Sequence, residues 1–266
     1  MPYFKTKNGI NWHYDVEGSG DPLLFLHGWG VDMRIWRQQA KHFSQHDRVL
    51  TLDLPGHGKS SWHRLDLEAL ARGVLAVLDE VKMEKVFLVG SSFGGLIGLK
   101  MFQLEPGRFR KLTLVGTTPK MVRPHSRMHG VDQEHLEKLT YQLETNYPEI
   151  VNIFFRSLFT QKERESRRFK WLQRFRQNIG LPQKQALLNF LEIMSLEDMR
   201  DALFALYVPL QLISGTEDYI CSYDMVESLR ALLPAARVDY FKDCGHFPFL
   251  SRPHEFNTAL EEFLRS

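Results

Sequence analysis

Cysteine is scarce: Cys221 and Cys244 are the only two in 266 residues. Two cannot build a disulfide framework, and they lack the spacing of a metal finger, which suits a reducing compartment. No sign of charge dominates either. Lys and Arg together number 34 and Asp and Glu 32, a formal net charge of +2, so no overall basic field points to nucleic acid or to an anionic membrane. Long apolar runs are also missing. The most apolar stretch, "ALFALYVPLQLI" at 202–213, is shorter than the about 20 residues a membrane helix needs, and Pro209 interrupts it. The opening "MPYFKTKNGI" has no apolar centre of the kind a secretory signal carries. A cytoplasmic protein that meets neither membrane nor nucleic acid is expected.

What is present is a chain with 43% hydrophobic residues, enough for a sizeable core in one large or two small domains. In "INWHYDV", Ile10, Trp12, Tyr14 and Val16 alternate on one face after the Asn8-Gly9 turn signal, which predicts a β-hairpin. Beyond it, short apolar runs recur, each closed by small or turn residues: "PLLFLHG", "RVLTLDLPG", "KVFLVGS", "KLTLVGT", "PLQLISG" and "ARVDYF". Helix-period segments around 65–82, 93–104, 222–233 and 253–264 separate most of them. Apolar strands alternating with helices predict an open α/β fold, a mostly parallel sheet covered on both faces. Between Thr118 and about Leu206 strand signals vanish and charged helical segments take over. The expected organisation is a core from 1–118 and 207–266 with a helical cap at 119–206. In the cap, "FKWLQRFRQNI" sets Phe169, Leu172, Phe175 and Ile179 on one stripe, with Arg167, Lys170 and Arg174 opposite.

"GSSFGG" at 90–95 falls between a strand run and a helix run. A strand that turns at once into a helix needs glycine where backbones crowd, here Gly90 and Gly94, and pushes the apical side chain outward. The pattern is G-x-S-x-G, a nucleophile elbow centred on Ser92. A serine hydroxyl needs a base to take its proton, and the base a carboxylate to fix its tautomer. Asp218 in "SGTEDYI" and His246 in "DCGHFPF" each follow a strand run and give the chain order Ser, Asp, His. Glu217 is the alternative acid, and Asp243 lies too near His246 in sequence to serve. His27 is read as a brace for the glycine-rich turn and His57 as a loop residue. Two backbone N–H groups must face the oxyanion, one from Phe93 and one from Trp29 in "HGWG".

With "HGWG", "DLPGHGKS", "GSSFGG", "GTED" and "GHFPF" in order, the chain resembles the α/β-hydrolase superfamily over nearly its full length. Within it, "LHGWGVDMRIWR", "LEIMSLEDMR" and "HFPFLSRPHEF" are similar to the pimeloyl-acyl-carrier-protein methyl ester esterases of biotin synthesis. The resemblance implies a triad of Ser92, Asp218 and His246, an oxyanion hole from Trp29 and Phe93, and no metal or organic cofactor. It also implies a four-helix cap in which Phe154 and Leu158 touch the acyl chain. Where those esterases carry a tryptophan before the nucleophile this chain has Ser91, which implies a wider pocket.

From Arg156 to Arg176 eight basic residues (Arg156, Lys162, Arg164, Arg167, Arg168, Lys170, Arg174 and Arg176) face Glu163 and Glu165 alone. Such a patch suits an acidic acyl carrier protein as partner, or it is a solvated helix face. Of the aromatics Phe154, Phe155, Phe159, Phe169 and Phe175, a minority is expected to line an acyl tunnel. Cys221 and Cys244, each near a triad residue in sequence, read as two buried thiols, with a redox pair as the alternative. Hydrolysis of a carbon–carbon bond by the same triad, or a ligand receptor on the same fold, are the rival functions.

Overall fold

A computed structural model describes residues 2–122, 130–177 and 180–266. Ile179 lies outside the described residues. The chain opens with strands β1 (Tyr3–Lys5), β2 (Asn11–Glu17) and β3 (Asp21–Leu26), then helix α1 (Arg37–Phe43), β4 (Asp47–Leu52) and α2 (Leu67–Glu80). It continues through β5 (Val86–Ser91), α3 (Phe93–Leu104) and β6 (Phe109–Val115). Six helical segments follow: α4 (Gln133–Thr145), α5 (Glu149–Ser157), α6 (Gln161–Glu165), α7 (Arg167–Gln177), α8 (Lys184–Leu196) and α9 (Arg200–Phe204). The chain then re-enters the sheet with β7 (Leu210–Gly215), α10 (Tyr223–Leu232) and β8 (Arg237–Phe241), and ends in α11 (Pro248–Ser251) and α12 (Pro253–Arg265).

The eight strands form one sheet in the order β1-β2-β4-β3-β5-β6-β7-β8. β1 and β2 make the expected hairpin, antiparallel with Tyr3 opposite His13, and β3 through β8 are parallel. Side chains alternate across a strand, so each apolar run is divided between two cores. Leu24, Leu26, Leu50, Leu52, Leu88, Leu112, Leu114 and Leu212 point to one cluster, shared with α2, α3 and α10. Leu23, Phe25, Val49, Phe87, Val89, Val115 and Ile213 point to the other, shared with α1 and α12. Burial on both faces is why these strands read as unbroken apolar runs. Helix ends carry their own signals: Asp66 caps α2 through the Ala69 N–H at 2.7 Å, and Ser222 caps α10.

Strand order reverses at β3. The chain passes from β3 to β4 on one side and later returns to β5 on the other, which leaves a crevice at the carboxyl ends of β3 and β5. Among the described residues, no helix is long and apolar enough to cross a membrane.

Candidate active site

Ser92 stands at that crevice, between the end of β5 and the start of α3, with φ 53° and ψ −119°. A non-glycine residue in this region costs about 1–3 kcal/mol and persists only where its surroundings fix it. Here the Ser92 N–H donates to the Val115 carbonyl at 2.8 Å, and the Thr117 hydroxyl donates to the Ser92 carbonyl at 3.1 Å. The two motif glycines are required by contact. A Cβ on Gly90 would sit 2.6 Å from Gly95 Cα, and one on Gly94 would sit 2.6 Å from the carbonyl oxygens of Leu26 and His27. Ser91 is fully buried, its hydroxyl has no hydrogen-bond partner among the described residues, and it is not among the residues that line the cavity described below. It therefore does not widen that cavity by contact.

Asp218 follows β7 and His246 follows β8, and the fold brings them together. His246 Nδ1 lies 2.7 Å from Asp218 Oδ2, with both side chains buried. Asp218 Oδ1 accepts from the N–H groups of Ile220 and Cys221 at 2.8 and 3.0 Å, so the carboxylate cannot swing away. An acceptor at Nδ1 puts the imidazole proton there and leaves Nε2 with a free lone pair. Glu217 is exposed and not at the ring. Asp243 is also exposed and pairs with Lys162 at 3.2 Å.

The loop after β3 carries Trp29, and among the described residues no loop or turn hydrogen bond engages the backbone N–H of Trp29 or Phe93. Two buried histidines hold this loop. Leu54 N–H donates to His27 Nε2 at 2.9 Å, which leaves the His27 proton on Nδ1, 2.8 Å from the Gly28 carbonyl. Gly30 N–H donates to His57 Nε2 at 3.3 Å, and His57 Nδ1 meets the Pro55 carbonyl at 3.1 Å. Burial lowers the pKa of both rings; burial and then the neighbouring His27 push His57 down to about 3. Each is a neutral brace. The His57 role was not visible in sequence beyond its place in the loop after β4, because its partner Gly30 is 27 residues away.

Ser92, His246, Trp29, Phe154 and Leu158 open onto one cavity of about 490 Å³, mostly apolar, with Asp132, His135 and Lys138 adding polar lining from the start of α4. The Trp29 indole donates to the Leu187 carbonyl of α8 at 3.0 Å and meets Phe154 edge-on at 4.8 Å, so the loop is tied to the helices above it. Phe155, Phe159 and Phe169 are buried in the second core cluster instead, and Phe175 stacks on Trp171. Of the basic stretch, Arg156, Lys162, Arg167, Lys170 and Arg174 are exposed, but Arg176 is not. It is 6% exposed, its guanidinium nitrogens have no hydrogen-bond partner among the described residues, and it lies over the Phe155 ring at 5.7 Å. Arg176 is therefore no part of a surface patch.

Cys221 and Cys244 are free and buried. Their thiols face different partners, Met225 Sδ at 3.7 Å and Glu163 Oε1 at 3.1 Å. Sequence reading also passed over Glu163, whose carboxylate reaches the turn before His246. Its one signal is local: Thr160 and Glu163 have the spacing of a helix capping box, and both capping bonds form. Among the described residues, no group of three or more His, Cys, Asp or Glu side chains is placed to hold a metal ion.

The alpha/beta hydrolase fold family matches residues 21–253 of the chain. A pimeloyl-[acyl-carrier protein] methyl ester esterase of Nitrosomonas europaea is 30% identical over 249 residues, covering 94% of this chain and 98% of that protein. One from Vibrio vulnificus is 29% identical over 252 residues, covering 94% and 97%. Among solved structures, an esterase from Exiguobacterium antarcticum superposes with a TM-score of 0.90 at 22% identity, covering 99% of each chain. An enol-lactonase from Burkholderia xenovorans gives 0.88 at 22%, covering 100% of each. At these identities the superpositions speak to fold alone.

Proposed function

Because this chain belongs to the α/β-hydrolase family, we propose that it is a serine carboxylesterase in which Ser92 is the nucleophile, His246 the base and Asp218 the orienting carboxylate. The reaction is hydrolysis of a carboxylic ester. Ser92 Oγ attacks the carbonyl carbon, the carbonyl electron pair moves onto oxygen, and His246 Nε2 takes the hydroxyl proton. The N–H groups of Trp29 and Phe93 receive the negative oxygen. Collapse expels the alcohol, which takes the proton from His246, and leaves an acyl-enzyme. Water then attacks with its proton passing to the same nitrogen, and the acid leaves as Ser92 recovers its hydrogen.

One observation carries this reading: His246, paired with the buried Asp218 at 2.7 Å, shares with Ser92 the wall of a single cavity. Phe154 and Leu158, which line the same space, are the proposed acyl contacts. Its volume lies within the about 300–1,000 Å³ usual for small-molecule sites. The proposed substrate is the methyl ester of an acyl chain carried on an acyl carrier protein. Support comes from the two relatives' names and from the exposed basic residues on α5, which lines the cavity, and on α6 and α7 that follow it. Changing Ser92 to Ala should lower kcat on p-nitrophenyl butyrate by about 10³-fold or more while leaving the fold intact. Activity within tenfold of the parent would rule out Ser92 as nucleophile.

A further inference from the structure

His246 lies in neither a strand nor a helix. It sits in the turn between β8 and α11, so its backbone is held by whatever grips that turn. Three consecutive residues each give a donor to the stretch from Leu158 to Glu163, at the end of α5 and in α6. Cys244 Sγ–H points to Glu163 Oε1 at 3.1 Å, Gly245 N–H donates to Glu163 Oε2 at 3.0 Å, and His246 N–H donates to the Leu158 carbonyl at 2.8 Å. The flanks are tied as well. Lys162 pairs with Asp243 at 3.2 Å, and Arg168 Nε donates to the Leu250 carbonyl at 2.8 Å.

Glu163 is itself fixed before it reaches across. Its Oε2 takes the Thr160 N–H at 2.7 Å, and its own N–H donates to Thr160 Oγ1 at 3.1 Å, closing the capping box at the start of α6. The approach leaves no slack, since a Cβ on Gly245 would lie 3.1 Å from Glu163 Oε2. Burial, and then the Glu163 carboxylate, raise the Cys244 thiol well above its ordinary range, so it stays protonated and remains a donor.

We propose that Glu163 is a positioning residue for His246, acting through the backbone of residues 244–246 so that seating of the helices over the cavity sets where the base stands. The base must reach Asp218 with one nitrogen and Ser92 with the other, and a misplacement of about 1 Å can cost about 10²-fold in rate. Leu158, whose carbonyl holds His246, also lines the cavity. One stretch of chain thus both meets the acyl group and holds the base.

The inference rests on the serine-esterase reading, and a pair of variants tests it. Glu163→Asp shortens the reach by one methylene and loses Gly245, whereas Glu163→Gln keeps an oxygen for that N–H. On p-nitrophenyl acetate, E163D should lose about 10- to 100-fold in kcat with KM within about threefold of the parent. E163Q should keep most of its kcat, and Glu165→Ala, exposed on the same helix, should behave as the parent. Equal kcat in E163D and E163Q, or a change confined to KM, overturns the proposal. Glu163→Ala should match or exceed the E163D loss; should it fail to fold, the Asp and Gln variants decide alone. Ser92→Ala run alongside keeps the two ideas apart. An active S92A sinks the serine reading, while an inactive S92A beside a fully active E163D sinks this one only.

Discussion

Histidine is where residue type and role part company in this protein. His27, His57 and His246 all lie close to the crevice, yet two of them hold a loop and one lines the cavity together with Ser92. Sequence could rank them, because His246 follows a strand run in the right chain order and His27 precedes a glycine turn. It could not show that His57 accepts from Gly30, or that burial keeps its ring neutral. That burial has a consequence for stability. The folded His57 ring protonates only near pH 3, whereas an unfolded imidazole protonates at about 6.5. Between those values the unfolded chain binds more protons, so stability is full above about pH 6.5 and is lost as the pH falls toward 3, by up to about 1.4 kcal/mol per pH unit. The lowered His27 adds in the same direction. Urea unfolding of the parent at pH 7, 6, 5 and 4 should show this loss, and His57→Gln should flatten the slope. An unchanged slope in the variant would show that the ring is not the acid-sensitive group.

At the scale of elements, legibility followed length and burial. Strands β3 to β7 stood out as apolar runs because both faces of each are covered. α1 leaves no signal in the sequence because seven residues are too few to display a helical period, and α6, with five, announces itself only through its cap. β2 carried a partial surprise. Its Trp12 face was legible, but His13 on the opposite face is also buried and meets Asp53 at 2.7 Å, a pairing across 40 residues. The β5–α3 elbow was the most legible junction of all, since crowding there is local and glycine records it. Gly94→Ala should push a methyl group into backbone carbonyls at the end of β3, costing about 1–3 kcal/mol. A Tm lower by about 2–10 °C is expected, with a fall in kcat because the displaced strand end leads into the Trp29 loop. A Tm equal to the parent's would mean that β3 can yield at no cost.

For the whole molecule the question is how charge is distributed over the helices between β6 and β7. The formal net charge of +2 hides a local excess at Arg156, Lys162, Arg167, Lys170 and Arg174, all exposed, while Arg176 is drawn inside. If that face receives an acidic carrier protein, the attraction must weaken as salt shortens the Debye length from about 10 Å at 0.1 M to about 3 Å at 1 M. Turnover of a carrier-bound methyl ester should then show a KM that rises at least about tenfold from 0.05 to 0.5 M NaCl, while the KM for a free methyl ester stays flat. Equal salt response for the two substrates would remove the carrier from the proposal.

The positions of the strand runs along the chain and the elbow at Ser92 could be read from residues alone, as could the candidates Asp218 and His246, because each depends on neighbours within a few positions; the order in which the strands pair could not. Alternation, glycine placement and turn chemistry are short-range forces, and they leave a short-range record. What only the tertiary structure decided was long-range. It chose Asp218 over Glu217 by placing one carboxylate at the ring and the other in solvent, and it assigned His57 to Gly30. It took Arg176 out of the surface and set Glu163 against the turn of His246 across 82 residues of chain. No residue type encodes a distance to a partner so remote; that distance exists once the sheet is closed and the helices are packed upon it.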